Sequence, residues 1–299
     1  MNELKVDIST LRLKNPIMSA SGTFGFGYEF MEYYDTSVLG AIVCKGISKE
    51  PRRGNYGNRI AEIDGGIINS IGLENPGISE FLEKILPMIK TINTAYIVNI
   101  LGSDLDEYLY LAEKLSELPR VDAIEVNISC PNVKAGGLSF GKDINLIKDL
   151  TRRLRDIFPK PIIIKVSPDL PYIEIAKICR NEGIDAITCI NTIQSLLIDV
   201  EKKTFFFNNL YGGLSGPAIK PIALRVVYQV AKEVGIPVIG CGGIMSYKDA
   251  VEFFMAGATA VQIGTANFTN PLSAYEILKD LMSYLEKNKI HSVSELRIW

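Results

Sequence analysis

The stretch PIIIKVSPDLPYIEIAKICRNEGIDAITCIN, residues 161–191, reads as a strand, a helix and a second strand. Residues 161–166 are a short, continuous apolar run rich in β-branched side chains, the pattern of a strand buried on both faces. Residues 172–181 change to a helical period, and Gly183 follows where a helix C-terminus calls for glycine. The next apolar run is 186–190.

The same alternation extends outward in both directions. Apolar runs at 17–20, 41–44, 96–100 and 123–128 come before the unit, and 237–240 and 260–264 come after it. Helix-period segments at 104–117, 144–157, 218–233 and 247–256 lie among them. Eight strands mostly alternating with helices predict an α/β fold of the (β/α)8, TIM-barrel type, typically about 250 residues long. A doubly wound open sheet would give a similar alternation. The whole chain, residues 1–299, is read as one barrel domain with about 50 residues left for insertions. Two intervals are inflated: 46–80, rich in Gly, Asn and Arg, and 192–216, which runs through the phenylalanines at 205–207 to GGLSGP. Both are expected to be functional loops at the C-terminal face. Residues 5–13 alternate like a hairpin that would plug the barrel floor.

Composition narrows the chemistry. Apolar residues are 47% and charged residues 22%, and 32 Lys and Arg against 34 Asp and Glu leave a net charge of −2. Nothing there points to nucleic acid or an anionic membrane. The one histidine, His291, lies near the C-terminus, which excludes a Ser-His-Asp triad or a multi-His metal site in the body of the chain. The five cysteines, at 44, 130, 179, 189 and 241, form no CxxC pair, so neither a disulfide framework nor a zinc site is expected. With no signal-peptide pattern and no run of 18 apolar residues, a cytoplasmic protein without a membrane span is expected.

Barrel active sites form at the C-terminal ends of the strands. The residues found there are Ser21, Lys45, Asn99, Asn127, Lys165 and Asn191, then Gly242 and Gly243, and Gly264 and Thr265. Singly, each fits a turn residue or a solvated lysine. Together they describe a polar, cationic pocket with a phosphate-binding glycine rim, suited to a phosphate-bearing cofactor. Cys130, flanked by polar residues and proline beyond the fourth strand, is a candidate base or nucleophile, since nearby cations stabilise a thiolate. Cys44, Cys179 and Cys189 lie within apolar segments and read as inert, and Cys241 at a strand end could line the phosphate loop.

The segment NISCPNVKAGGLSFG (127–141) resembles the catalytic loop of class 1 dihydroorotate dehydrogenases. The likeness continues through NPIMSASGTFGFG (15–27), VCKGIS (43–48), NSIGLENPG (69–77), IKVSP (164–168), INT (190–192), GGLSGPAIKP (212–221), GCGGI (240–244) and IGTANF (263–268). The VKAGGLSFG continuation is similar to the NAD-linked subtype. This resemblance implies oxidation of (S)-dihydroorotate to orotate in de novo UMP biosynthesis. Cys130 would remove the C5 proton, and hydride would pass from C6 to N5 of FMN. It implies substrate contacts from Lys45, Asn69, Ser70, Ile71, Gly72, Leu73, Asn127, Asn132, Asn191 and Thr192. FMN contacts would come from Ser21, Lys45, Gly46, Asn99, Asn127, Lys165, Ile190, Gly216, Gly242, Gly243, Gly264 and Thr265.

The subtype further implies a homodimer joined to a second subunit, in a heterotetramer, that carries FAD and a [2Fe–2S] cluster and passes electrons to NAD. This chain has neither a four-cysteine cluster pattern nor a GxGxxG fingerprint after a strand. The alternatives are a fumarate-linked stand-alone enzyme of the same family, a related pyrimidine-reducing flavoenzyme, and a flavin-binding or assembly subunit without turnover.

Overall fold

The computed structural model describes residues 4–129 and 140–299. Eight parallel strands close on themselves in chain order: β1 (Ile17–Ser19), β2 (Ala41–Val43), β3 (Ala95–Ile100), β4 (Ala123–Asn127), β5 (Ile162–Val166), β6 (Ala186–Cys189), β7 (Val238–Cys241) and β8 (Ala260–Ile263). Closure runs through β8 against β1, with Gln262 opposite Met18. The architecture is the predicted (β/α)8 barrel and not an open sheet.

Local chemistry accounts for the outer layer. Leu105–Ser116 begins where the Asp104 side chain accepts from the Glu107 N–H at 3.1 Å, and Ile144–Ile157 begins where Asp143 caps Asn145 and Leu146. Such caps stabilise a helix by about 1 kcal/mol. The second helix buries Ile147, Leu150, Thr151 and Leu154, one helical stripe, against the barrel. Tyr172–Asn181 joins β5 to β6, as residues 161–191 predict, and Gly183 follows it at φ +78°. Lys220–Val234 ends on the left-handed Gly235. Two small differences appear. The connection from β1 to β2 is made by 3-10 turns, Glu29–Glu32 and Thr36–Val38, rather than an α-helix. The seventh strand sits one residue later than expected, which places Cys241 inside it.

The predicted hairpin is present: Val6–Ile8 pairs with Leu11–Leu13 and buries Ile8 and Leu13. Thr10 and Leu11 line an open groove of about 940 Å³ together with Gly40, Ala95, Val121 and Pro161. Those four residues stand at the starts of β2, β3, β4 and β5, so the hairpin lies at the N-terminal face.

The two inflated intervals are not independent loops. Ile60–Ile63, Gly66–Asn69, Tyr211–Ser215 and Ile193–Leu196 make one antiparallel sheet in that order, with Gly213 opposite Asn69. Ala61, Ile68 and Phe207 form its own small core. Close backbone approach explains its glycines: a Cβ on Gly66 would stand 2.1 Å from the Ser215 carbonyl oxygen. We therefore expect Gly66→Ala to lower the unfolding free energy in urea by about 1–3 kcal/mol, the usual cost of overpacking.

Candidate functional site

Inside the barrel, near its C-terminal end, a polar cluster interrupts the apolar core. Glu125 on β4 is wholly buried. Its Oε1 accepts from Asn99 Nδ2 on β3 at 2.8 Å. Its Oε2 accepts from Thr188 Oγ1 on β6 at 2.8 Å and from Gln262 Nε2 on β8 at 2.6 Å. Lys165 on β5 places Nζ 3.7 Å from Glu125 Oε1, donates to Gln262 Oε1 at 3.0 Å and reaches Ser21 Oγ at 3.4 Å. Burial opposes the charge on Lys165. The Glu125 carboxylate outweighs it, with Cys241 adding to the effect, and holds the ammonium above the ordinary lysine value of 10.5. The cluster therefore presents a fixed cation at the pocket floor.

Above it stand the strand-end amides. Asn191 Nδ2 donates to Asn127 Oδ1 at 3.2 Å, and Asn127 lies opposite Lys165 in the β4–β5 register. Gly46, which follows Lys45, packs against Asn99: a Cβ there would meet Asn99 Oδ1 at 2.8 Å. Lys45 is half-buried, its N–H bonds to the Gly25 carbonyl, and its side chain makes no hydrogen bond or ion pair with another described residue.

The rim sheet carries the 69–73 segment to the pocket edge. Asn69 Nδ2 donates to the Gly213 carbonyl at 3.1 Å, and Ser70 Oγ donates to the Tyr211 carbonyl at 3.2 Å. Thr192 also packs against Gly213. Gly72 and Leu73 take positive φ, and Asn75 fixes the turn by donating to the Leu73 carbonyl and accepting from the Ser48 and Gly77 N–H groups.

The last two strands end in an open backbone cradle. Among the described residues, the N–H groups of Gly242, Gly243, Gly264 and Thr265 donate to no backbone carbonyl. Gly242 and Gly243 take φ +126° and +76°, and a Cβ on Gly243 would stand 2.9 Å from the Gly216 carbonyl oxygen. A Cβ on Gly264 would touch nothing closer than 3.4 Å, which leaves its face open to a ligand. Thr265 Oγ1 donates to Ser215 Oγ at 2.9 Å. Ile190 closes the side of the cradle, its N–H bonded to the Cys241 carbonyl at 2.7 Å. Free N–H groups converging this way accept an anion such as phosphate.

Cys44, Cys179, Cys189 and Cys241 are free and buried, and burial pushes their thiols up, Cys44 to about 12. None of the four is suited to base work near neutral pH. Cys130 and Asn132 lie outside the described residues. Sequence reasoning missed Glu125, Thr188 and Gln262. The available signal was a carboxylate inside the apolar run AIEVN and an amide inside AVQI, since charged and amide groups are rarely buried without partners.

Fold and site together define an α/β barrel that sets a buried cation, paired strand-end amides and a run of backbone N–H groups with no backbone partner toward its C-terminal end. The chain belongs to the dihydroorotate dehydrogenase family, whose model matches residues 3–285. It is similar to three proteins that bear the name dihydroorotate dehydrogenase B (NAD(+)), catalytic subunit. That of Geotalea uraniireducens is 50% identical over 98% of this chain and 97% of its own length. The Petrotoga mobilis protein is 49% identical over 99% of both chains. The Caldicellulosiruptor saccharolyticus protein is 49% identical over 98% of this chain and 97% of its own.

The raised pKa of Lys165 has a testable sign. Its contribution to stability is whole below the unfolded lysine value and is lost as pH rises through the higher folded value. Lys165→Met strands the Glu125 carboxylate, which costs about 3–5 kcal/mol. Melting curves from pH 7 to 11 should show a large gap between wild type and variant that narrows only above about pH 10.5.

Proposed function

We propose that this chain oxidises (S)-dihydroorotate to orotate in pyrimidine biosynthesis, as a single FMN-binding barrel domain over residues 1–299. Electrons would leave to NAD through a partner subunit that carries FAD and a [2Fe–2S] cluster. The observation that carries the reading is the convergence of Asn127 and Asn191 beside the charged Lys165, next to the glycine cradle. The near full-length likeness to NAD(+)-linked catalytic subunits favours this acceptor over fumarate.

The residues present fit FMN. Gly242, Gly243, Gly264 and Thr265 supply unengaged N–H groups for its phosphate, and Lys165 supplies a cation for the ring. Ser21, Lys45, Gly46, Asn99, Asn127, Ile190 and Gly216 complete the cofactor contacts we assign. FMN, when bound, takes up the hydride from substrate C6.

The chain's own residues do the rest. Cys130, as thiolate, takes the C5 proton, a contribution of about 10²–10⁴-fold for a general base. Lys45 contacts both cofactor and substrate, its ammonium without a hydrogen-bond or ion-pair partner among the described residues. Asn69, Ser70, Ile71, Gly72 and Leu73 from the rim sheet, with Asn127, Asn132, Asn191 and Thr192, bind the carboxylate, ring carbonyls and ring N–H groups. Amides offer both donors and acceptors, as a pyrimidinedione edge requires.

The assembly we propose is a homodimer joined to two electron-transfer subunits. Exposed Ile60, Leu196, Ile198, Phe205 and Tyr211, on the rim sheet and the adjoining Ile198–Phe205 hairpin, offer apolar surface for such contacts. We place the protein in the cytoplasm, in keeping with its free cysteines. No helix among the described residues is long and apolar enough to cross a membrane.

Cys130→Ala should purify yellow, with FMN bound, yet show flavin reduction by dihydroorotate slowed by about 10²–10⁴-fold in stopped-flow measurements. A wild-type rate would remove Cys130 as the base. The isolated chain should reduce artificial acceptors but not NAD, and added electron-transfer subunit should restore NAD reduction. NAD reduction by this chain alone would refute the two-subunit reading.

A further inference from the structure

We infer that Glu125 is a positioning residue whose buried carboxylate fixes the hydrogen-bond polarity of the pocket floor by turning the Asn99 amide oxygen toward the rim. The inference rests on the FMN reading above for what Asn99 contacts, and on the barrel interior alone for the rest.

An ionised carboxylate only accepts hydrogen bonds. Glu125 Oε1 and Oε2 take bonds from Asn99 Nδ2, Thr188 Oγ1 and Gln262 Nε2, so each amide must turn its NH2 group inward. For Gln262 the remaining oxygen is taken by Lys165 Nζ at 3.0 Å. For Asn99 it is not: Oδ1 lies beside Gly46 and accepts no hydrogen bond from another described residue. The interior thus dictates an acceptor at that point of the rim, opposite in sense to the Lys165 donor. An amide in a neutral surrounding would be free to present either end.

The Glu125→Gln variant isolates this role. Its new NH2 group can replace Oε1, facing Asn99 Nδ2 with Lys165 Nζ 3.7 Å away, or Oε2, facing both Thr188 and Gln262. The second choice would turn the Gln262 oxygen inward and set its NH2 group against Lys165 Nζ, so the first is favoured, and it forces Asn99 to rotate and present Nδ2 at the rim. Asn99 and Glu125 are direct partners in the β3–β4 register, so the polarity can be restored by exchange. In the double variant Asn99→Asp with Glu125→Gln, the NH2 group introduced on β4 donates to one oxygen of the carboxylate introduced on β3. The other oxygen of that carboxylate faces the rim, and the buried charge is conserved.

The test uses the full chain stripped of flavin, titrated with FMN by fluorescence quenching and melted without FMN. Glu125→Gln is expected to weaken FMN binding at least tenfold, to shift the visible absorption of the FMN-saturated protein and to lower the apoprotein melting temperature. The double variant is expected to regain the melting temperature and most of the FMN affinity. Wild-type affinity and spectrum in Glu125→Gln overturn the proposal, even if its melting temperature falls, because that pattern marks structure alone. A double variant no better than the single also overturns it. Should Glu125→Gln fail to fold, the double variant decides: folding supports the proposal and failure overturns it. Wild-type protein that takes up no FMN refutes the flavin reading, while the apoprotein melting comparison still decides what Glu125 does.

Discussion

A carboxylate with no water around it must be surrounded by donors, and Glu125 sets that constraint for the whole barrel. Its partners come from β3, β5, β6 and β8. A one-residue slip of any of these strands would turn its polar partner out of the interior and bring an apolar neighbour in. The ion pair is therefore a register device. Whether such a pair adds net stability over an apolar core is a separate matter. What it contributes here is a single arrangement of strands, and with it a cation at a fixed height below the rim.

The rim answers to the same geometry. Asn127 follows Glu125 by two residues on the same face of β4, so fixing one fixes the other. Asn191 meets Asn127 because β6 is held through Thr188. The glycine cradle closes on the other side, where β7 and β8 end. The groups we assign to substrate and to phosphate are thereby supported by strands, while the 69–73 segment depends on the added sheet. Sites held by regular elements keep their geometry more tightly than sites held by loops.

The barrel was legible from residues such as 161–166, because strands buried on both faces read as unbroken apolar runs. The polar rim was legible because Asn127 or Asn191 at the end of such a run has no packing reason to be there. The rim sheet was not. Gly66–Asn69 and Tyr211–Ser215 are glycine-rich and short, and their partnership spans 144 residues, as between Asn69 and Gly213. No local pattern encodes such a pairing. The Glu125 cluster was missed for a related reason: its carboxylate stood out within AIEVN, but its Gln262 partner lies 137 residues away. The groups in 130–139, Cys130 included, were singled out from sequence and fall outside the described residues.

The pairing of the two insertions also orders events in time. Gly66–Asn69 cannot find its partner strand until Tyr211–Ser215 exists, after β6 and before β7. Closing so long a loop is an entropic cost that only an already assembled scaffold can offset. During synthesis the early half of the barrel would emerge with its binding edge unformed, and the pocket would mature in the last third of translation. A chain truncated before residue 211 would retain six of the barrel's strands and their end amides, but neither the completed rim sheet nor the glycine cradle.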